Sequence, residues 1–169
     1  METEIINQNK VTDLGLEGEL KPAELSIEGS KIKSVQLIGL TPDKTYFKSS
    51  EFRSCRFTKA EFTDGVVERC DFRDCDLRNT SWRSSDLIQT EFDNCNLERS
   101  DFTRVRIRKA SFSKCDLRDV DFSGADIREL DIRDCRIEGI KIHPDNYKHI
   151  TIDHSQAIYF ASLSGFNIK

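Results

Sequence analysis

Residues 45–64 read TYFKSSEFRSCRFTKAEFTD, and a large apolar side chain recurs at every fifth position of this stretch. The series continues without a break in frame to residue 142. Its members are Phe47, Phe52, Phe57, Phe62, Val67, Phe72, Leu77, Trp82, Leu87, Phe92, Leu97, Phe102, Ile107, Phe112, Leu117, Phe122, Ile127, Ile132, Ile137 and Ile142. Small or aliphatic residues, such as Ala60, Cys70 and Ala125, typically lie two positions before them.

A strict period of five predicts a chain that turns at every repeat, because a helix repeats its apolar face about every 3.6 residues and a strand about every 2. If each pentapeptide forms one side, with its large and its small residue pointing inward, four sides close a square coil of twenty residues. The aromatic residues then form two columns: Phe52, Phe72, Phe92 and Phe112, and Phe62, Trp82, Phe102 and Phe122. We name the sides after the first regular coil, as the 45–49, 50–54, 55–59 and 60–64 sides, each continued at intervals of twenty.

This pattern resembles the pentapeptide-repeat family, whose motif reads approximately Ala-(Asp/Asn)-Leu-X-X. The resemblance covers residues 45–144, and weaker repeats around Ile27, Ile32 and Leu37 extend it to an earlier coil. It implies an all-β fold, a right-handed quadrilateral β-helix. At a spacing of about 4.8 Å per coil, the five regular coils would make a rod of roughly 24 Å, or about 29 Å with the sixth.

The open ends of such a rod need caps, because they would expose unpaired backbone and core. We expect an N-terminal cap over residues 1–24, the β-helix over 25–144 with regular repeats from 45, and a C-terminal cap over 145–169. Pro22 should end the first cap, and Pro42 predicts an irregular corner. A helix is predicted at about 154–164, with Asp153 or Ser155 as N-cap and Gly165 just beyond its end.

The composition is that of a soluble folded chain: 169 residues, 37% hydrophobic, 33% charged, with a net charge of -4. No run reaches the roughly 18 apolar residues of a membrane helix, and METEIINQNK lacks the features of a signal peptide. A cytoplasmic protein is therefore expected. With apolar inward positions and no catalytic motif, we predict a protein that is not an enzyme and needs no cofactor or metal.

The cysteines and histidines leave two alternatives open. Five of the six cysteines share one column, namely Cys55, Cys75, Cys95, Cys115 and Cys135. Such a ladder could hold a soft metal or oxidise between coils, but small buried core residues are the favoured interpretation. His143, His149 and His154 cluster before the C-terminal helix without the spacing of a known metal motif, so a structural or solvent-exposed role is favoured.

Two outer surfaces are candidate partner-binding sites. The 50–54 side is net negative and carries Glu51, Asp71, Glu91 and Asp131. The 45–49 side is net positive and places Tyr46, Val66 and Ile88 at outward positions, which is typical of a protein contact surface. Its basic run from residue 104 to 109 is surrounded by acids, so direct nucleic-acid binding is disfavoured.

The C-terminal stretch carries a narrower resemblance, to the Qnr and MfpA type of pentapeptide-repeat protein. It rests on residues 130–133, LDIR, on residues 137–142, IEGIKI, and on a helix that closes on GFNI at 165–168. The resemblance implies a partner such as DNA gyrase or topoisomerase IV, a role linked to quinolone resistance through imitation of DNA, and a homodimer through the C-terminal cap. The predicted cap and dimer residues are Ile158, Tyr159, Phe160 and Leu163. The alternative is a protein-interaction or structural module with an unrelated partner.

Overall fold

The computed structural model describes residues 3–6 and 23–166, and its strands stack as two parallel sheets on neighbouring sides of a coil. On the 45–49 side lie β2 (Leu25–Glu28), β4 (Thr45–Lys48), β6 (Val66–Glu68), β8 (Asp86–Ile88) and β10 (Arg106–Arg108). On the 50–54 side lie β1 (Thr3–Ile6), β3 (Ser30–Lys33), β5 (Glu51–Arg53), β7 (Asp71–Arg73), β9 (Glu91–Asp93) and β11 (Ser111–Ser113).

The coils are in register at an interval of twenty residues. Phe52 pairs with Phe72, which in turn pairs with Phe92. On the other two sides single parallel bridges keep the same interval, for example between Arg56 and Asp76 and between Ser81 and Asp101. Residues 25–144 thus form about six turns of a parallel β-solenoid, which confirms the predicted fold class.

The corners of the coil lie at a fixed position of the repeat. Every fifth residue from Gly29 to Gly139 has a φ between 49° and 77°, with Lys44 as the exception. Most of these residues are not glycine, and the left-handed conformation costs each of them roughly 1–2 kcal/mol. The exception lies beside Pro42, so the repeat that carries the proline is also the one whose corner departs from the regular geometry.

The interior of the rod is filled by the predicted columns of side chains. The rings of Phe52, Phe72, Phe92 and Phe112 stack nearly parallel, with successive centroids 4.6, 5.0 and 4.9 Å apart. The second column holds Phe62, Trp82, Phe102 and Phe122, all fully buried. Because the rings within each column contact one another from coil to coil, burial and aromatic packing both act along the axis.

The C-terminal end is closed by three short elements. A 3-10 helix (Pro144–His149) leads into β13 (Ile150–Thr151), which pairs in parallel with β12 (Leu130–Asp131). The predicted helix follows as α1 (His154–Leu163), with Asp153 as its N-cap and Gly165 at a φ of 82° beyond its end. At the other end β1 pairs with β3, whereas Pro22 and most of the predicted N-terminal cap lie outside the described residues.

None of the helices in residues 23–166 is both long and apolar enough to cross a membrane.

Candidate protein-interaction surfaces

The filled interior leaves the outer sides of the rod as the candidate binding surfaces. The depressions on the described surface are shallow, with volumes of about 270 to 470 Å³, and are lined mainly by outward charged and polar side chains.

On the 50–54 side, three of the four predicted acidic residues form ion pairs with an arginine of their own repeat. Glu51 contacts Arg53 at 3.0 Å, Asp71 contacts Arg73 at 3.6 Å and Asp131 contacts Arg133 at 2.7 Å. Each arginine lies two residues after its acid, so both side chains leave the same face of the strand. The four acids share a column, but their negative charge is largely neutralised along it.

The fourth acid, Glu91, has a different neighbourhood. The residue two positions later is Asp93, so this repeat offers no arginine. Neither Glu91 nor Asp93 has an ion pair among the described residues. In the preceding coil, Asp74 Oδ1 accepts a hydrogen bond from the Asn94 amide at 2.6 Å. Glu91 and Asp93 therefore form a cluster of unneutralised negative charge in the middle of this side, and Asp134, two coils farther along, is a further acid without an ion pair to a described residue.

The predicted apolar strip on the 45–49 side is divided between two columns. Tyr46 and Val66 lie in register on adjacent coils, whereas Ile88 is in register with Glu68. Tyr46 is 42% exposed, and Val66 and Ile88 are half-buried. The structure thus brings together Tyr46 and Val66 and leaves Ile88 in the neighbouring column.

The 55–59 side carries a dense network of ion pairs that sequence reasoning did not identify. Asp116 binds Arg118 at 2.7 Å in its own repeat and Arg136 at 3.3 Å one coil away. Arg118 also approaches Glu98 at 3.5 Å. On the same side, hydrogen bonds from Arg78 hold the pKa of Asp76 below its usual value. The signal is the recurrence of opposite charges at intervals of 2 and 20.

The six cysteines are free and buried. Each ladder thiol donates to a backbone carbonyl of the preceding coil, as Cys95 does to Phe72 at 3.4 Å. Burial raises the pKa of Cys70, outside the ladder, to about 11. Within residues 23–166, no group of three or more Cys, His, Asp or Glu side chains is arranged to hold a metal ion. The geometry therefore supports core packing as the role of the thiols.

The C-terminal cap buries part of the predicted cap and dimer set and exposes the rest. Phe160 is buried, and its ring meets that of Tyr147 edge to face at a centroid distance of 5.0 Å. The hydroxyl of Tyr159 accepts a hydrogen bond from the Gly139 amide at 2.6 Å. Ile158 and Leu163 are exposed, as is Phe166, which the sequence analysis did not select. Exposed apolar side chains thus lie on and just beyond α1.

The histidines do not converge. His143 caps the 3-10 helix by accepting a hydrogen bond from the Asp145 amide at 3.3 Å, and His149 ends that helix. His154 is exposed at the start of α1. Their positions are those expected of residues at helix ends.

Comparison with known proteins gave a match to a family model and several solved structures. The model described as "Pentapeptide repeat region" matches residues 25–102 and 85–160. No curated protein matches the chain in sequence. A trypsin-treated variant of QnrB1, described as a plasmid-mediated fluoroquinolone resistance protein, is 16% identical with a TM-score of 0.41, over 88% of this chain and 96% of that one. Rfr23 from the cyanobacterium Cyanothece 51142 is 14% identical with a TM-score of 0.42, over 86% and 98%.

Proposed function

Because the chain belongs to the pentapeptide-repeat family, we propose that it is a non-catalytic scaffold that binds a protein partner through the outside of its rod. The observation that carries this proposal is the filled interior, in which the inward side chains of every coil are buried against one another. A catalytic site requires polar groups that converge in a cavity. The outer sides instead present ordered rows of charged side chains, which are suited to recognition.

The partner we propose is a type II topoisomerase, either DNA gyrase or topoisomerase IV, which implies a cytoplasmic location. Two features support it: the Qnr- and MfpA-like sequence at residues 130–142 and 165–168, and the unneutralised acids of the 50–54 side. A DNA duplex carries one negative charge per about 1.7 Å of its axis, so a DNA-binding enzyme would recognise closely spaced carboxylates. We propose that Glu91 and Asp93 form the centre of this contact, with the ion-paired acids Glu51, Asp71 and Asp131 at its periphery.

A gyrase supercoiling assay, with and without a fluoroquinolone, tests this proposal. The wild-type protein should inhibit the enzyme or relieve its inhibition by the drug, and the double variant Glu91→Gln/Asp93→Asn should lose most of the effect. The matched control, Glu51→Gln/Asp71→Asn, changes the net charge equally at acids that are ion-paired, and should retain most of it. Absence of any effect of the wild-type protein would contradict the choice of partner but not the scaffold role.

A second candidate is a protein-interaction module with an unrelated partner. The observation that favours it is the exposed ring of Tyr46 beside Val66, because aromatic residues are enriched at protein interfaces. A photo-crosslinking amino acid at position 48, whose Lys side chain is exposed on the same strand, would capture such a partner. Its capture should be lost when Tyr46→Ser is added. Capture that is unchanged by Tyr46→Ser would exclude this surface.

We also propose a homodimer through the C-terminal cap. Ile158 and Leu163 on α1, together with Phe166, would exclude water by packing against a second copy. Light scattering at micromolar concentration should give twice the chain mass, and Ile158→Glu/Leu163→Glu should give a folded monomer. A wild-type protein that is monomeric at all concentrations would refute the dimer.

A further inference from the structure

The positive charge of the rod is neutralised almost everywhere except on one coil. Most Lys and Arg side chains between residues 45 and 144 have a carboxylate partner: Lys48, Arg53, Arg56, Arg69, Arg73, Arg78, Arg83, Arg99, Arg106, Arg118, Arg128, Arg133, Arg136 and Lys141. Within that stretch the side chains without an ion pair to a described residue are Lys59, Arg104, Arg108, Lys109 and Lys114. Four of these five lie within the eleven positions from 104 to 114.

Three of the four cations line the 45–49 side of the fourth regular coil, residues 105–124, with Arg104 at the corner that leads into it. Arg104 and Lys109 occupy the two corners of the 45–49 side in this coil, with φ values of 57° and 56°. Arg108 lies between them on β10. Arg106, on the same strand, does not add to the group because its guanidinium binds Asp86 in the preceding coil. Arg104, Arg108 and Lys109 are all exposed, and we call them the basic belt.

The surroundings of the basic belt restrict the shape of a ligand. On the 45–49 side, the coil before the belt carries Asp86 and the coil after it carries Asp126 and Glu129. The belt is one coil thick, about 4.8 Å along the axis. A DNA duplex would extend its phosphates over these acids, because its negative charge is continuous. A ligand that runs around the coil, parallel to β10, would follow the row of Arg104, Arg108 and Lys109 and would pass beside only the acids of the next coil, Asp126 and Glu129.

We propose that the basic belt docks a short acidic segment of a protein partner. The carboxylates of such a segment can form charge-assisted hydrogen bonds with Arg104, Arg108 and Lys109 without first displacing an ion pair to a described residue. Ile88, in register with Arg108 and half-buried, offers an apolar contact beside them. A shallow depression of about 300 Å³ next to Arg108 and Lys109, lined also by Arg128, Asp126 and Glu129, provides room for polar side chains of the segment. This site lies on a different side from the acidic contact proposed for topoisomerase and does not depend on it.

Fluorescence anisotropy with a labelled hexaglutamate peptide at low salt tests the proposal. The double variant Arg108→Gln/Lys109→Gln should bind roughly five- to tenfold more weakly than the wild-type protein. The matched control is Arg73→Gln/Arg133→Gln, which lowers the net charge by the same amount at two arginines that are ion-paired. It should bind within about twofold of the wild-type protein, and all three proteins should show the same circular dichroism.

Three results would overturn the proposal. If both double variants bind the peptide equally weakly, the affinity depends only on the net charge of the protein and not on the belt. Tighter binding of a 20-base-pair DNA duplex than of the peptide, lost in the Arg108→Gln/Lys109→Gln variant, would identify the belt as a nucleic-acid site. A wild-type protein that does not bind the peptide at low salt would exclude an acidic-segment site at the belt.

Discussion

Most of the small inward residues that carry a hydroxyl or a thiol donate a hydrogen bond to a backbone carbonyl, whereas the buried hydroxyl of Thr45 has no partner among the described residues. Ser85 Oγ donates to the Phe62 carbonyl at 2.6 Å, and Ser100 Oγ donates to that of Leu77 at 2.8 Å. The ladder thiols make the same bond at longer distances, as Cys95 does. These polar side chains are buried at little cost because a carbonyl of the preceding coil satisfies each of them. The period predicted that they point inward, but it carried no information on what they would bind.

Thr80 is the centre of a buried hydrogen-bond network. Its hydroxyl donates to the Leu77 carbonyl at 2.7 Å and accepts from the Trp82 indole at 2.9 Å. Thr80→Val would leave the indole N–H buried without an acceptor, which costs about 1–3 kcal/mol. We expect the free energy of unfolding, measured in urea, to fall by that amount.

A double-mutant cycle separates the lost hydrogen bond from the change in packing. Trp82→Phe removes the indole donor, and Phe62 and Phe102 already occupy neighbouring positions of that column. Thr80→Val should therefore cost roughly 1 kcal/mol less in the Trp82→Phe background than in the wild-type protein. An equal cost in both backgrounds would mean that the indole N–H is not the reason for the loss.

Gly139 combines a left-handed backbone with a close neighbour. Its φ is 77°, and a Cβ placed there would lie 2.1 Å from Oδ1 of Asp119. Gly139→Ala should cost about 2 kcal/mol in urea unfolding, because the carboxylate must also move away. Gly39→Ala is the matched control, with a φ of 68° and no atom near the added Cβ, and should cost only about 1 kcal/mol. Equal costs would show that the contact with Asp119 is unimportant.

At the scale of elements, the sequence predicts inward positions far better than outward contacts. An inward residue such as Phe92 can only pack into the buried core of the rod, so its position in the period of five is enough to predict its column. An outward arginine can reach acids at an interval of 2 or of 20, and its long side chain can adopt either arrangement. The sequence therefore located Glu51 and Asp71 on the correct side but did not show that arginines neutralise them. For the same reason, the sequence did not show that Arg104, Arg108 and Lys109 lack an ion pair to a described residue.

The cap helix depends on one buried amide. Gln156 Nε2 donates to the carbonyls of Ile132 and Cys135 at 2.7 and 2.8 Å, and Oε1 accepts from the backbone of Asp153 at 2.9 Å. These bonds give donors to two backbone carbonyls at the end of the last coil, and they complete the capping box of α1. The sequence predicted Asp153 or Ser155 as the N-cap, but it did not identify Gln156 as its capping partner or the two carbonyls at the rod end that Gln156 binds.

Gln156→Ala should destabilise the cap by about 2–3 kcal/mol, because the Cys135 carbonyl and the Asp153 amide lose their partner. The Ile132 carbonyl keeps the backbone amide of Cys135 as a donor. Hydrogen exchange of the amides in α1 and in residues 130–142 should accelerate, whereas exchange in residues 65–104 should change little. Ser155→Ala is the control, since Ser155 is exposed and bonds only to Asp153 within its own helix end. Acceleration along the whole rod would mean that the cap and rod unfold as one unit.

At the scale of the whole molecule, rows of ion pairs run along a rod in which each coil contacts mainly its neighbours. The side chains of Arg78, Arg128 and Arg133 lower the pKa of Asp76, Asp126 and Asp131 from their ordinary value of 3.8. A carboxylate with a lowered pKa in the folded state stabilises the fold at pH values above its ordinary pKa, and this contribution is lost as the pH falls through the lowered one.

The melting temperature should therefore be nearly constant between pH 5 and 7 and should fall progressively below about pH 4, as these carboxylates gain protons. Each pair is exposed and contributes little, so the effect should come from their number. Replacing Arg78, Arg128 and Arg133 by Gln should make the melting temperature less dependent on pH below 4, whereas Lys109→Gln, at a lysine without an ion pair to a described residue, should leave that dependence unchanged. A melting temperature that stays constant from pH 5 to pH 3 would show that the ion-pair rows do not stabilise the rod. Its stability would then come from the apolar columns, and the charged surface would be free to serve recognition alone.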